Sequence, residues 1–137
     1  MKSGKKLQVS SHLARKRERR LNPVLYRARR LRQSYLRLKI DRKLEDIIKD
    51  VKATTACAYC TLEVSPLDLS LDHILPSARG GADSLENLHL VCFSCNLFKG
   101  SLTDGEFRQL LEFVKDKPEM RAILKKRLKA AGFLFGG

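Results

Sequence analysis

Apolar residues recur at helical spacing in two runs near the amino terminus, at residues 25–38 and 44–51. Within each run they stand three or four positions apart. This spacing predicts an amphipathic helix, or two helices broken near residues 39–41. Asn22 followed by Pro23 predicts where the first helix begins, because asparagine caps free backbone amides and proline suits the first helical position.

The pattern changes between residues 53 and 100, where turn residues are frequent and apolar runs are short. A first strand is predicted because Leu67, Leu69 and Leu71 alternate with polar residues. A short helix is expected to end at Gly100. The predicted elements, in order, are a strand at 67–73, a loop at 76–87, a strand at 88–91 and a helix at 94–99.

The carboxyl-terminal part is predicted to be helical. Thr103 and Glu106 form a capping-box pattern ahead of an apolar helical face. Pro118 indicates the start of a last helix that runs through Leu128, and the two phenylalanines after it are expected to pack back on the core. The prediction is an α+β chain in three parts: a basic helical arm at 1–52, a core of two strands and a helix at 53–102, and a helical segment at 103–137.

Positive charge is concentrated in the arm. The net charge is +13, and residues 1–43 hold 16 of the 28 lysines and arginines against only Glu18 and Asp41. A localised basic arm is typical of a protein that binds nucleic acid, although an acidic membrane or ribosome surface, or a solvated tail without a partner, would also fit. Residues 1–20 are expected to be disordered, and Arg27, Arg30 and Arg37 are the candidate phosphate contacts.

The sequence also indicates the cellular compartment in which the protein is expected. No apolar run approaches the ~20 residues that a membrane helix needs. The lysines near the amino terminus are not followed by an apolar stretch, so no secretory signal is expected. A cytoplasmic, reducing setting is the expectation, with no membrane partner.

The four cysteines form two CxxC pairs, listed as Cys57, Cys60, Cys92 and Cys95. Two CxxC turns supply four thiolates, the ligand set of a structural zinc site with no open coordination position. Disulfides are disfavoured without a secretory signal, and a thioredoxin-like pair is disfavoured by the absence of a βαβ pattern. An iron–sulfur cluster uses the same four ligands and remains the alternative.

Asp72 and His73 stand together at the predicted end of the first strand. A carboxylate suits a hard cation such as Mg²⁺, and an imidazole suits proton abstraction from water. Adjacent strand residues point to opposite faces, so the two could act from different sides of one reacting group. The simpler interpretation is a half-buried histidine beside a loop-capping aspartate.

Residues 57–100 resemble the HNH endonuclease module, a ββα-metal fold of the four-cysteine zinc type. The matching stretches, in order, are CAYC, LDHILPSARGG, SLENLHLVC and CNLFKG. They cover about a third of the chain and combine the cysteine pairs, the DH, the Gly-Gly, an asparagine and CN-x-x-K-G.

The resemblance implies a role for each matching residue. His73 would be the general base that activates water, and Asn87 would orient the loop and His73 by hydrogen bonding. Asp72 and Asn96 would hold one divalent ion, Mg²⁺ or Mn²⁺, with Asn96 as the third letter of the motif. Lys99 would either neutralise a phosphate or be a solvated cation at the helix end.

The function implied by the resemblance is metal-dependent hydrolysis of DNA phosphodiester bonds, leaving 5′-phosphate and 3′-hydroxyl ends. A monomer would nick one strand, and a homodimer could cut both. The alternatives are a zinc-dependent nucleic-acid-binding protein without catalysis and an RNA-directed nuclease. His89, on the second strand, matches no role in the family and is expected to be structural or exposed.

Overall fold

The computed structural model describes residues 2–120 and 122–123. The chain divides into two compact units, residues 1–53 and residues 54–137. No helix in the described ranges is both long enough and apolar enough for a membrane crossing.

The first unit consists of three helices: α1 (Lys2–Leu21), α2 (Pro23–Arg37) and α3 (Leu44–Ala53). The prediction of a disordered segment at residues 1–20 is wrong, because α1 spans it. The segment is rich in lysine and arginine, which favour helices, and has no proline. α1 also contacts α2, and Glu18 pairs with Arg29 at 3.3 Å. Helix propensity and these contacts outweigh the charge repulsion that composition suggests.

The start of α2 and the break after it are confirmed. The side chain of Asn22 accepts a hydrogen bond from the amide of Leu25 at 3.2 Å, with Pro23 as the first helical residue. The chain turns at Lys39, whose φ is +61°, and the amide of Ile40 bonds the carbonyl of Tyr35 at 2.9 Å. The apolar stripe packs as expected between α2 and α3. Its fully buried members are Ala28, Leu31, Tyr35, Ile47 and Val51.

In its described part, the second unit carries a two-stranded antiparallel sheet together with helices, which confirms the α+β prediction. The first strand begins at Leu69 rather than Leu67, because Pro66–Asp68 forms a 3-10 turn. The register pairs Asp72 with His89 across the sheet. The elements, in order, are β1 (Leu69–His73), β2 (Leu88–Cys92), α4 (Phe93–Lys99) and α5 (Asp104–Val114).

The core of this unit lies around the cysteines. Tyr59, Val91 and Phe107 are buried against Cys57 and Cys95. The ring of Tyr59 meets the ring of Phe107 edge-on, with centroids 4.9 Å apart. α5 is thereby packed on the cysteine turns, so its apolar face covers the region from which α4 begins.

Both ends of the α4–α5 connection follow the sequence signals. α4 ends at Gly100, whose φ is +51°. The capping box of α5 is present, since the Thr103 hydroxyl accepts from the Glu106 amide and the Glu106 carboxylate accepts from the Thr103 amide. The expected last helix is seen at residues 118–120 and 122–123. Its continuation and the two phenylalanines lie outside the described residues.

The loop between the strands, residues 74–87, is called the Gly-Gly loop below. It closes tightly, since the Gly81 amide bonds the carbonyl of Pro76 at 3.0 Å. Gly80 has φ +88°, which favours glycine. A Cβ at Gly81 would lie 1.7 Å from the backbone carbonyl oxygen of Leu75 and 2.9 Å from the side-chain nitrogen, Nδ2, of Asn87. The loop path therefore requires glycine at position 81.

We expect Gly81→Ala to destabilise the protein by about 3 kcal/mol, because the added methyl group overlaps backbone atoms that cannot move without opening the loop. Urea unfolding followed by circular dichroism measures the change. Gly105→Ala is the matched control, because a Cβ there meets nothing within 4 Å and helical alanine is favoured over glycine. An alanine at position 81 as stable as the control would contradict the close approach.

Candidate active site and metal centre

The four cysteine sulfurs converge on one point. All four lie within 4.8 Å of one another, and the sulfurs of Cys60 and Cys92 are 3.8 Å apart. The cysteines form no disulfide. In a tetrahedral zinc site with Zn–S bonds of about 2.3 Å, neighbouring sulfurs lie about 3.8 Å apart. The donor set and its spacing therefore fit a single tetrahedral ion.

Backbone amides point at the sulfurs. The amides of Tyr59 and Cys92 lie 3.4 and 3.5 Å from the sulfur of Cys57, and the amide of Cys95 lies 3.4 Å from the sulfur of Cys92. The first turn is completed at Thr61, whose φ is +63°. These donors favour sulfur in its thiolate form. The second turn also caps α4, so an ion bound here would fix the helix start.

The thiols shift one another's pKa values in opposite directions. Hydrogen bonds from Cys92 and Cys95 lower the pKa of Cys57. Hydrogen bonding to Cys57 raises the pKa of Cys92 to about 11 and also raises that of Cys95. One thiolate is thus accommodated readily, whereas further thiolates require a cation to offset their repulsion. A dication with four sulfur ligands meets that requirement.

Asp72 lies at the centre of a buried polar network and is only 4% exposed. The ammonium of Lys99 is 3.1 Å from its Oδ1. Nε2 of His89 and the hydroxyl of Tyr59 lie 2.8 and 3.4 Å from its Oδ2. The carboxylate thereby connects β1 to β2, to α4 and to the first cysteine turn. A carboxylate offers about four acceptor positions, so three donors leave one for a metal ion.

Lys99 is not a solvated cation at the helix end, and that expectation is wrong. Its side chain is fully buried, and its ammonium also donates to the carbonyl of His73 at 2.6 Å. The reason is the unpaired charge of Asp72, since a buried carboxylate without a partner is costly. The other predicted role, contact with a phosphate, stays a prediction and would require the ammonium to leave both partners.

His89 and Tyr59 were not predicted as members of the site. His89 contacts Asp72, and its ring meets the ring of Tyr59 edge-on at 5.2 Å. The expectation of a structural role matches this placement. The available signal was the register: once β1 and β2 are paired, His89 is directly opposite Asp72.

His73 is placed differently from its neighbour. Its side chain is 22% exposed, and Nε2 lies 2.9 Å from Oδ1 of Asp83, which is 49% exposed. Successive strand residues point to opposite faces. The imidazole therefore stands on the other side of β1 from the Asp72–Lys99 pair. Asp83, on the Gly-Gly loop, is a third site residue that sequence reasoning missed.

Asn87 is bonded to the Gly-Gly loop. Its side-chain oxygen accepts from the amide of Leu75, and its side-chain nitrogen donates to the carbonyls of Leu75 and Ala82, all at 2.9 Å. Its own carbonyl accepts from the amide of Ile74 at 2.8 Å. These bonds fix the backbone that directly follows His73.

Asn96 lies on the face of α4 that meets β1. Its side-chain nitrogen donates to the hydroxyl of Ser70 at 2.9 Å and to the carbonyl of Leu71 at 3.2 Å. Because the side-chain nitrogen is hydrogen-bonded to β1, the side-chain oxygen of Asn96 is the atom suited to a metal ion. Asp72 and Asn96 are thus both oriented by contacts between β1 and α4.

The three arm arginines all lie on α2, but they differ in exposure. Arg30 and Arg37 are exposed, whereas Arg27 is half-buried. Two helical turns take about seven residues, so Arg30 and Arg37 share one face of the helix. The guanidinium of Arg30 lies 5.9 Å from the centre of the Tyr26 ring. Arg30 and Arg37 are therefore the better placed of the three for contact with a polyanion.

We expect the purified protein to carry one zinc ion per chain and Cys95→Ser to lose it. Zinc binding to such sites contributes on the order of 10 kcal/mol to folding, so the variant should also lose the cooperative unfolding of the second unit. Elemental analysis and the absorption spectrum of the cobalt-substituted protein measure the site. Ser94→Ala, in the same turn, is the control. Iron and sulfide in the purified protein would contradict zinc.

The comparison with known proteins agrees with this geometry. Residues 57–112 match the family model described as HNH endonuclease. No curated protein matches the chain. The match begins at the first cysteine, contains Asp72, His73, Asn87 and Asn96, and extends into α5. The match supports a nuclease or related nucleic-acid function with a nucleic acid substrate, and nucleases of this family use divalent metal ions. Residues 57–112 of the chain are thus similar to the HNH endonuclease family.

Proposed function

We propose that this protein is a metal-dependent endonuclease that hydrolyses DNA phosphodiester bonds. The observation that carries the proposal is the end of β1, where an accessible imidazole, His73, directly follows a buried carboxylate, Asp72. Phosphodiester hydrolysis needs a base for the attacking water and positive charge near the leaving oxygen. His73 is suited to the first task, and Asp72 is suited to hold a cation that would supply the second.

His73 acts as the general base in this proposal. Its side chain is accessible to solvent and to a substrate, whereas the other imidazole of the unit, His89, is bonded to Asp72. Asn87 holds the chain immediately after His73 and acts as a positioning residue. The base is thus carried on a backbone that is fixed on both sides.

Asp72 and Asn96 would hold one Mg²⁺ or Mn²⁺ ion. A site with a small number of oxygen ligands from the protein suits Mg²⁺, because this ion keeps several of its waters. When bound, the ion would supply Lewis-acid stabilisation of the leaving oxygen. Lys99 pairs with Asp72 and orients it, since its ammonium lies 3.1 Å from Oδ1.

The exposed arginines of α2 supply affinity for the DNA backbone in this proposal. Arg30 and Arg37 share one helical face, and residues 1–43 carry most of the positive charge of the chain. Contacts of this kind bind phosphates and hold the protein on the duplex, but they do not read the base sequence.

One observation favours a second function, nucleic-acid binding without cleavage. Asp72 already has three donors, including the ammonium of Lys99. A carboxylate neutralised in this way has less affinity for a metal ion. If this arrangement persists when Mg²⁺ is supplied, the domain would bind nucleic acid without cutting it.

We expect the protein to convert supercoiled plasmid to nicked or linear DNA with Mg²⁺ or Mn²⁺, and His73→Ala to reduce the rate by about 10²–10⁴-fold, the contribution of a general base. Gel electrophoresis measures the products, and the ratio of nicks to linear DNA reports whether one or two chains act. His12→Ala is the matched control, because His12 is exposed on α1.

Each alternative function predicts a different result in this experiment. Zinc-loaded protein that shifts DNA but cuts neither plasmid nor RNA would support binding without catalysis. Cleavage of RNA alone would replace the DNA substrate. Cleavage that survives EDTA, or that is equal in His73→Ala, would remove the metal ion or His73 from the reaction.

We expect the double variant Arg30→Gln/Arg37→Gln to bind DNA more weakly and with less salt dependence, because each lost phosphate contact reduces the slope of log K against log salt by about 0.9. Fluorescence anisotropy over a salt series measures this slope. Lys49→Gln/Lys52→Gln, exposed on α3, removes the same charge and is the control. Equal slopes in the two double variants would show that only net charge matters.

A further inference from the structure

We propose that Asp83 is a positioning residue that holds His73 in one orientation, with a proton on Nε2 and the lone pair of Nδ1 presented to the attacking water. This inference rests on the proposed function and adds a residue to it. The observation is the distance of 2.9 Å between Nε2 of His73 and Oδ1 of Asp83.

The chemistry of the pair fixes which nitrogen can act. An ionised carboxylate only accepts hydrogen bonds, so Nε2 must donate the proton that it shares with Asp83. In a neutral imidazole the other nitrogen, Nδ1, is then the acceptor. With an accessible side chain, His73 would present this nitrogen outward, away from the loop that holds Nε2.

The construction of the Gly-Gly loop supports a defined position for Asp83. Asn87 bonds the carbonyl of Ala82, the residue directly before Asp83. Gly81 permits a backbone approach that no side chain would allow. Arg79 is paired with Glu106 at the start of α5. The loop is therefore held directly before Asp83, the residue whose side chain reaches His73.

The contact at Glu106 is itself secured. Its carboxylate accepts from the backbone amide of Thr103 in the capping box, and this hydrogen bond, with the pairing to Arg79, lowers the pKa of Glu106. The carboxylate therefore stays ionised to a lower pH than an ordinary glutamate. The Gly-Gly loop is thereby anchored to an element other than the two strands that it connects.

With Nδ1 of His73 as the proton acceptor, every proton and bond in the hydrolysis step is accounted for. The oxygen of water attacks phosphorus while one water proton passes to Nδ1 of His73. The bond from phosphorus to the 3′ oxygen breaks, and the 3′ oxygen takes a proton from solvent. His73 then carries protons on both nitrogens, and the carboxylate of Asp83 faces the resulting positive charge before Nδ1 returns its proton to water.

Three variants test this role. Asp83→Ala removes the acceptor. Asp83→Asn is nearly isosteric and keeps an oxygen that accepts from Nε2. Glu86→Ala removes a carboxylate from the same loop, and its side chain is exposed with no bond to His73 among the described residues. Circular dichroism and zinc content establish that each variant is folded.

The first readout does not depend on activity. In protein labelled with ¹⁵N-histidine, the neutral His73 ring should show a protonated Nε2 whose proton exchanges slowly with water; His73→Ala identifies the signal. We expect Asp83→Ala to lose the slowly exchanging proton, and Asp83→Asn and Glu86→Ala to keep it. A protected proton that survives Asp83→Ala would overturn the proposal.

The second readout is kinetic. We expect Asp83→Ala to lower kcat by about 10- to 100-fold, as the loss of an orienting partner does, with KM nearly unchanged because substrate binding is not altered. Asp83→Asn should recover most of the rate. Unchanged kcat in Asp83→Ala, or no recovery in Asp83→Asn, would overturn the positioning role while wild-type cleavage still stands. Wild-type protein that cuts nothing would instead overturn the nuclease proposal.

Discussion

The convergence of four thiols in one small core is the constraint on which the rest of the second unit depends. Four sulfurs within 4.8 Å of one another cannot all carry charge without a cation. Their turns are held by backbone amides and covered by Phe107. Because Cys92 also caps α4, the cluster decides where that helix begins and therefore which of its side chains reach β1. Asn96 and Lys99 are the two that do so.

The buried pair of Asp72 and Lys99 follows from that placement. Removing one member of such a pair typically costs about 3–5 kcal/mol, because the other charge stays buried without compensation. In the proposed site, the carboxylate that would bind a dication thus has an ammonium beside it. The arrangement would reduce the affinity for the proposed ion, because Lys99 and the ion would compete for the same carboxylate. The pair that stabilises the domain without the ion would thus weaken binding of the ion.

Local signals in the sequence were sufficient for most elements. The cap at Asn22, the capping box at Thr103 and the spacing of the cysteines each depend on residues near one another in the chain. At α1 the composition of the segment predicts disorder, and this prediction is wrong. Helix propensity and packing on α2 determine its structure instead.

The contacts of the site were less accessible to prediction than its residues. His89 meets Asp72 only because of the strand register, and Lys99 is buried only because α4 lies against β1. Asp83 reaches His73 through the path of the Gly-Gly loop, which depends on a close approach at Gly81. Each of these contacts joins residues at least ten positions apart. A motif identifies the participants, whereas these distances require the fold.

The asparagine at position 96 is explained by the same charge balance. Its side-chain nitrogen donates to the hydroxyl of Ser70 and to the carbonyl of Leu71. An aspartate there could not donate, and it would place a second carboxylate near a strand where one lysine already offsets one acid. The amide satisfies the carbonyl with one atom and offers a neutral oxygen with the other. In the proposed site, a neutral ligand at this position would keep the protein charges balanced before the ion binds and would leave the ion a net positive charge for the phosphate.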